Sequence, residues 1–221
     1  MIQRVPALML VLCLAGCLQV PFPEPALIPI GSEDPLRIVE RFQAGMPDSF
    51  QLLNTIVFEY NSRKFSLIGS VEVDRRNGLF RAMCMNPMGV KLFELTGDRT
   101  LVTNEYTIAA FSQYGDITTA VGNDIRRIYF DLIPSSAAVV WRGTNTIRFR
   151  QAYNAGHLEY VFGGGAADLL AKNFYDDNGI VWQARYYDYR EQAGKRMPHG
   201  ILFVHYEHGY QLTVREKEFH L

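Results

Sequence analysis

The sequence predicts a mainly β fold: one large antiparallel, curled sheet, an incomplete β-barrel wrapped around an N-terminal and a central helix. Three observations carry this expectation. Five pairs of short segments are joined by tight turns rich in Gly, Asn and Asp. Along those segments apolar and polar residues alternate with the period of two that a half-buried strand imposes. Only two stretches carry apolar residues at helical spacing instead.

The 221 residues, 48% hydrophobic and 13% aromatic, can bury a substantial core without disulfide staples. Basic and acidic residues number 22 and 23, so there is no basic excess to bind nucleic acid or an anionic surface. A charged fraction of 20% with this aromatic content excludes a disordered chain.

The first helix is expected from Asp34 to about Ala44. Asp34 suits an N-cap, Pro35 suits the first helical position, and Gly45 ends the run. Leu36, Val39 and Phe42, with Ile38 beside them, form its apolar side. The central helix is expected from Asp116 to Ile133. Ile117, Val121, Ile125, Ile128 and Leu132 make one stripe, Gly122 weakens it, and Pro134 stops it.

Hairpins account for most of the rest. Residues 65–74 and 79–85 flank Arg76-Asn77-Gly78, where Asn-Gly predicts a type I′ turn. Residues 90–96 and 100–104 flank Gly97-Asp98, and 146–153 and 157–162 flank Asn154-Ala155-Gly156. Residues 170–175 and 180–189 flank Asp177-Asn178-Gly179, and 201–207 and 210–216 flank His208-Gly209. Further strands are expected near 55–60 and 106–111. Gly163-Gly164-Gly165 reads as a bend that lets the sheet curl, not as a phosphate cradle.

The alternation assigns faces. Phe80, Ala82 and Cys84 oppose Leu79, Arg81 and Met83; Ile147 and Phe149 oppose Arg148 and Arg150. Leu158, Tyr160 and Phe162 oppose His157 and Glu159; Trp182 and Ala184 oppose Gln183 and Arg185. One face is therefore apolar and aromatic and the other largely polar. The segment 201–207 is apolar on both faces and needs cover outside as well.

The N-terminus reads as an address. Arg4 precedes an apolar run over 5–15, too short to span a bilayer as a helix. Leu14-Ala15-Gly16-Cys17 follows, and this resembles the lipobox of bacterial lipoproteins. The resemblance implies that residues 1–16 are a signal peptide and that Cys17 carries the covalent lipid. A thiolate is the nucleophile best suited to forming that thioether, and stable anchoring takes more than one acyl chain. Leu18 rather than aspartate follows the cysteine, which by the same resemblance implies the outer membrane, facing the periplasm. Cys84 is then left alone and reads as an inert core residue. Pro21, Pro23, Pro25, Pro29 and Pro35 are half of the ten prolines, so 17–33 reads as an extended tether before a single domain over 34–221.

The order helix, strands, central helix, strands resembles the lipoprotein-localisation proteins, the LolA/LolB-like periplasmic carrier and outer-membrane receptor. Gly69-Ser70-Val71-Glu72-Val73 followed by Met85-Asn86-Pro87-Met88-Gly89-Val90-Lys91-Leu92 is similar to the receptor's early strands. The resemblance implies a half-barrel with an apolar cavity for lipid or lipoprotein acyl chains. On this chain the expected wall is Phe65, Leu67, Phe80, Phe149, Tyr160, Phe162 and Trp182, with Ile125, Ile128 and Leu132 as its lid.

No nucleophile elbow, zincin motif or phosphate loop is present, and the chain reads as a non-enzyme without catalytic residues or a cofactor beyond the lipid on Cys17. His199, His205 and His208 lie close in sequence, but a straight strand would put His205 and His208 on opposite faces. They read as turn and solvent-facing residues, with no metal site. Asp176 and Asp177 read as turn formers. Tyr186-Tyr187-Asp188-Tyr189, flanked by Arg185 and Arg190, reads as tyrosines at a wet edge or as a stacking surface. The expected partners are the membrane through the anchor and a lipid or acylated protein as ligand, for a monomeric chain. The alternative is a structural or accessory lipoprotein whose outer surface recruits an envelope protein assembly.

Overall fold

A computed structural model describes residues 21–112 and 116–221. The leader, its lipobox and Cys17 lie outside the described residues. Helix α1 (Pro35–Gly45) begins where the sequence places it. The Asp34 carboxylate accepts the Leu36 N–H at 3.0 Å, and Pro35 occupies the first turn, where a missing N–H is harmless. Ile38, Val39 and Phe42 are its buried side.

Strands β1 (Ser49–Tyr60), β2 (Arg63–Asp74), β3 (Leu79–Met85), β4 (Lys91–Gly97) and β5 (Val102–Thr107) then form a meander. Helices α2 (Ala109–Ser112) and α3 (Ile117–Tyr129) follow. A second meander runs through β6 (Val139–Arg142), β7 (Thr146–Tyr153), β8 (Gly156–Gly163), β9 (Asp168–Asp176), β10 (Gly179–Gln192), β11 (Lys195–His205) and β12 (Tyr210–His220). The two meanders join through β1 and β12 into one antiparallel sheet of 12 strands, ordered β5-β4-β3-β2-β1-β12-β11-β10-β9-β8-β7-β6.

This order dictates where α3 goes. β5 and β6 follow each other in sequence yet form opposite edges of the sheet. The connection between them must cross the full width of the sheet, and its amphipathic helix α3 is laid over the concave face, packed on β4 and β5. The sheet curls around α1 and α3 without closing, an incomplete barrel as the alternation predicts. Among the described residues no helix is long and apolar enough to cross a membrane.

Several local expectations are corrected. The strand expected over 106–111 stops at Thr107, and the chain turns into the short α2. The central helix ends at Tyr129 rather than Ile133: Phe130 donates its N–H to the Arg126 carbonyl and leaves the helix, and Asp131 takes a φ of 48°. The turn at Asn77-Gly78 is a four-residue loop, because Asp74 pairs with Leu79 and its carboxylate captures the Asn77 N–H at 2.9 Å. Only Gly78 there has a positive φ. Two-residue turns with both positions left-handed are Asn61-Ser62, between β1 and β2, and Ala193-Gly194, between β10 and β11. The sequence pattern does not mark strand β6, which is short and exposed throughout.

The proline-rich segment does not stand clear of the domain. From residue 21 onward it is strapped to the outer face. Phe22, 4% exposed, stacks on Tyr187 with ring centroids 5.4 Å apart and packs with Leu202. Glu24 pairs with Arg185 at 3.1 Å, and Arg142 donates to the Gly31 and Glu33 carbonyls. This segment is the outer cover that the two-faced strand 201–207 requires. Its prolines cannot donate to a strand ladder, but the segment holds one aromatic anchor in a gap above Gly200, where even a Cβ would lie 2.4 Å from the Phe22 ring.

Candidate functional site

The concave face of the sheet is the candidate site, built from alternate residues of nearly every strand. Phe50 and Leu52 of β1, Val71 and Val73 of β2, and Phe80 and Ala82 of β3 face inward on one half. Ile147 and Phe149 of β7, Leu158, Tyr160 and Phe162 of β8, and Trp182, Ala184 and Tyr186 of β10 face inward on the other. Of the seven wall residues, Phe80, Phe149, Tyr160, Phe162 and Trp182 are buried in one continuous cluster. Phe42 of α1 meets Phe162 edge to face at 5.4 Å, and Phe149 meets the same ring at 5.6 Å.

Phe65 and Leu67 lie elsewhere. They are inward-facing on β2 but beyond the reach of the helices, so Leu67 is half-buried and Phe65 is 47% exposed. Phe65 stacks with Phe58 at 6.1 Å, and Phe58 lies 5.8 Å from Tyr210. These rings form an aromatic mouth at the open end of the half-barrel. The lid residues Ile125 and Ile128 are buried against the sheet, and Leu132 is partly buried beside them.

The sheet grips α3 through polar side chains as well as apolar ones. Tyr186 donates to the Ile128 carbonyl at 2.8 Å, and Tyr160 donates to the Asp131 carbonyl at 3.1 Å. Lys172 donates to the carbonyls of Phe130, at 2.8 Å, and Arg127, at 3.2 Å. A helix C-terminus leaves carbonyls without partners, and a cation there also suits the helix dipole. Further along α3, Asp124 accepts from Tyr210 at 2.5 Å and from Arg127 at 2.8 Å. Burial pushes the Asp124 carboxyl up, and burial pushes the Lys172 ammonium down to about 7.

The helices fill the half-barrel. Between α1, α3 and the sheet a void of about 10 Å³ remains, lined by Phe42, Met46, Ile128, Leu132, Tyr186 and Ile201. That is room for about one water and not for an acyl chain while both helices stay seated. The larger concavity, about 620 Å³, is a shallow groove on the opposite, outer face. Its floor is the cross-strand row Gln51, Glu72, Arg81, Thr96 and Thr103, with Leu79, Leu101 and Leu221 at its margins. Its lining mixes these polar side chains with apolar ones, and the Arg81–Glu94–Lys91 ion cluster braces it.

Other singled-out residues are placed as follows. Cys84 is buried, and burial pushes its thiol up to about 12, away from the thiolate form. The tyrosine patch is not at an edge. β10 lies between β9 and β11, Tyr186 points into the core, and Tyr187 points outward under Phe22. Asp176 forms the expected turn, accepting the Asn178 N–H at 2.8 Å. The histidines depart most from expectation. Pairing of His205 with Tyr210 makes 206–209 a tight loop, and it folds His208 back over His205, ring centroids 4.3 Å apart. His205 is inward-facing and 1% exposed, and burial, with Arg127 and His208 nearby, pushes it down to about 4. A hairpin reversal cancels the opposite-face rule that holds for a straight strand.

No family model matches the chain, and no curated protein matches its sequence. Solved structures do match in shape. A LolA superfamily protein of Nitrosomonas europaea has a TM-score of 0.52 at 12% identity, covering 84% of this chain and 92% of that one. A domain described as an outer membrane lipoprotein-sorting protein, from Vibrio parahaemolyticus, has a TM-score of 0.51 at 8% identity, covering 84% and 91%. With its open antiparallel sheet curled around two helices, the chain has the LolA/LolB-like fold.

Proposed function

We propose that this chain is an outer-membrane-anchored lipoprotein, facing the periplasm, that binds lipid or lipoprotein acyl chains in its half-barrel and takes part in their transport or localisation. On this reading residues 1–16 are the signal peptide, Cys17 is acylated, 17–33 form the tether, docked on the domain from residue 21, and 34–221 form the single binding domain, acting without catalysis and as a monomer. The observation that carries the reading is the concave face itself. It is a continuous aromatic and aliphatic surface, covered among the described residues by two amphipathic helices and the segment after α3, and it ends in the mouth of half-buried Phe58 and Tyr210 and exposed Phe65. An acyl chain replacing the inner contacts of α3 or α1 gains roughly 25 cal/mol for each Å² it removes from water. The seam that would open is the one holding the small void between α1 and α3. The fold shared with a lipoprotein-sorting domain supports the same reading.

Native mass spectrometry of the full chain, extracted from membranes in mild detergent, tests both halves of it. The expected result is a diacylglyceryl mass on Cys17, lost in Cys17→Ser, and a second, non-covalent lipid in stoichiometric amount. A protein that carries no lipid and takes up none of a panel of fatty acids and phospholipids overturns the binding role.

A second reading is favoured by the sheet edge. Val139, Val140 and Trp141 of β6 are all exposed on the edge strand, whose outer side has no strand partner among the described residues and is a template for strand addition by a partner. On that reading the chain is an accessory lipoprotein. Val140→Lys then abolishes capture of an envelope protein while leaving lipid content unchanged.

A further inference from the structure

The β11–β12 hairpin holds a cluster that the lipid-binding reading does not use. His205, Glu207 and His208 each offer one donor atom, and those atoms lie within 4.8 Å of one another. Among the described residues neither ring nitrogen of His205 has a hydrogen-bond partner, although both are buried. A buried polar atom left unsatisfied is destabilising, and His205 carries two. Its neighbours explain its position but not its chemistry. Phe203 and Tyr210 pack on its ring at 6.3 and 5.2 Å, and the Tyr210 hydroxyl is committed to Asp124. The side facing the loop is covered by His208, stacked at 4.3 Å and 11°, an exposed ring free to turn.

We propose that this hairpin is a divalent transition-metal site, for which Zn²⁺ is the fitting ion, with His205, Glu207 and His208 as ligands and a fourth position open to the aromatic mouth. Two imidazoles and a carboxylate are a borderline donor set suited to zinc, nickel or copper and ill suited to calcium or magnesium. Zinc bonds imidazole nitrogen at about 2.0–2.1 Å, so ligands around one ion stand about 3.3 Å apart. Closing from the observed spacing needs rotation of Glu207 and His208 only. Both are exposed, and all three ligands come from four consecutive residues of one loop, so little order is lost. His205 stays fixed by the sheet. The ion would tie the loop to the mouth at Tyr210 and give an anionic headgroup an inner-sphere partner there.

Titration of the full, untagged chain with ZnCl₂ by calorimetry, repeated with CoCl₂ in the spectrophotometer, tests the site. The expected result is saturable one-to-one binding, a tetrahedral Co²⁺ spectrum, and losses of at least about tenfold in affinity in His208→Ala and in Glu207→Gln. Both residues are on the surface, so both variants fold even if His205→Asn does not. Nitrogen chemical shifts of the His205 ring provide the second readout and should move on addition of Zn²⁺. Absence of saturable binding overturns the proposal, and so does one-to-one binding unchanged in His208→Ala and Glu207→Gln. Lipid content plays no part in these measurements, so failure of the lipid reading leaves them intact.

Discussion

Lys172 of β9 donates a 2.8 Å hydrogen bond from its buried ammonium to the carbonyl of Phe130, the residue that caps α3. A sheet side chain thus closes the end of the helix that plugs the sheet. The arrangement has a cost, because burial holds the ammonium down to about 7, against an ordinary value of 10.5. Below pH 7 the lysine is charged in both folded and unfolded chains, and the folded state bears the full burial penalty. Between pH 7 and 10.5 the folded chain sheds the proton that the unfolded chain keeps, so stability rises with pH across that window. The expected outcome is that the stability difference between wild type and Lys172→Met shifts in favour of wild type by at least about 1 kcal/mol from pH 7 to 10. Urea denaturation of both proteins across that range reads it directly, and a flat difference refutes it.

Tyr186 and Tyr160 complete the same clamp through their bonds to the Ile128 and Asp131 carbonyls. Tyr186→Phe keeps the ring in place and removes only the donor. Leaving that buried carbonyl without this partner is expected to cost about 1–2 kcal/mol. If acyl chains enter by displacing α3, the weaker clamp also raises uptake of a fluorescent fatty acid, and the double variant with Tyr160→Phe raises it further. Reduced stability with unchanged uptake would place the entry seam on α1 instead.

Gly122 sits in the middle of α3, where glycine costs a helix close to 1 kcal/mol relative to alanine. Its reason is the neighbour. A Cβ there would lie 2.4 Å from Cγ2 and 2.9 Å from Cγ1 of Val102 on β5. Valine is stiff at χ1 and cannot swing away. Gly122→Ala is therefore expected to destabilise by about 1–2 kcal/mol despite the better helix propensity. Val102→Ala in the same chain restores most of the loss, and a double-mutant cycle measured in urea checks the coupling.

What was legible in the sequence follows the range of the interactions. Asp34-Pro35 and Gly45 fix α1 because capping acts within one turn. Alternation identified Phe80, Phe149, Tyr160, Phe162 and Trp182 as one inward face because side-chain direction is a property of the strand itself. It could not separate them from Phe65, which shares the face but lies past the helices, since helix placement depends on the β5-to-β6 crossing. β6 escaped because Val139–Arg142 is short, exposed throughout and without alternation. The tyrosines at 186–189 read as an edge because nothing local says that β10 is internal. The His205–His208 stack needed the exact loop length, which spacing alone does not supply. The apolar outward face of β11 was legible as a demand for cover, though not its answer, the distant Phe22.

That answer makes the N-terminal strap testable in its own right. Phe22 is held by the Tyr187 ring on one side and by the Arg215 guanidinium, 4.8 Å from its centroid, on the other. The other contacts of the strap include exposed ion pairs, arginine side chains donating to its carbonyls, the Ile30 N–H to the Thr144 carbonyl at 3.2 Å, and the partly buried Ile30 side chain against the core. Exposed pairs contribute little, so the one buried ring dominates the docking. Phe22→Ala should lower the free energy of local release by about 2 kcal/mol, a roughly 30-fold rise in the open fraction. Limited proteolysis should then cut within residues 21–33 about that much faster, while the sheet's own unfolding midpoint moves little. Glu24→Gln, which removes only the pair with Arg185, should leave the cleavage rate nearly unchanged. The contrast between the two variants separates an aromatic anchor from electrostatic docking. If Cys17 is acylated, residues 18–21 alone separate the membrane from Phe22, so release of the strap also lengthens the reach of the domain from the bilayer.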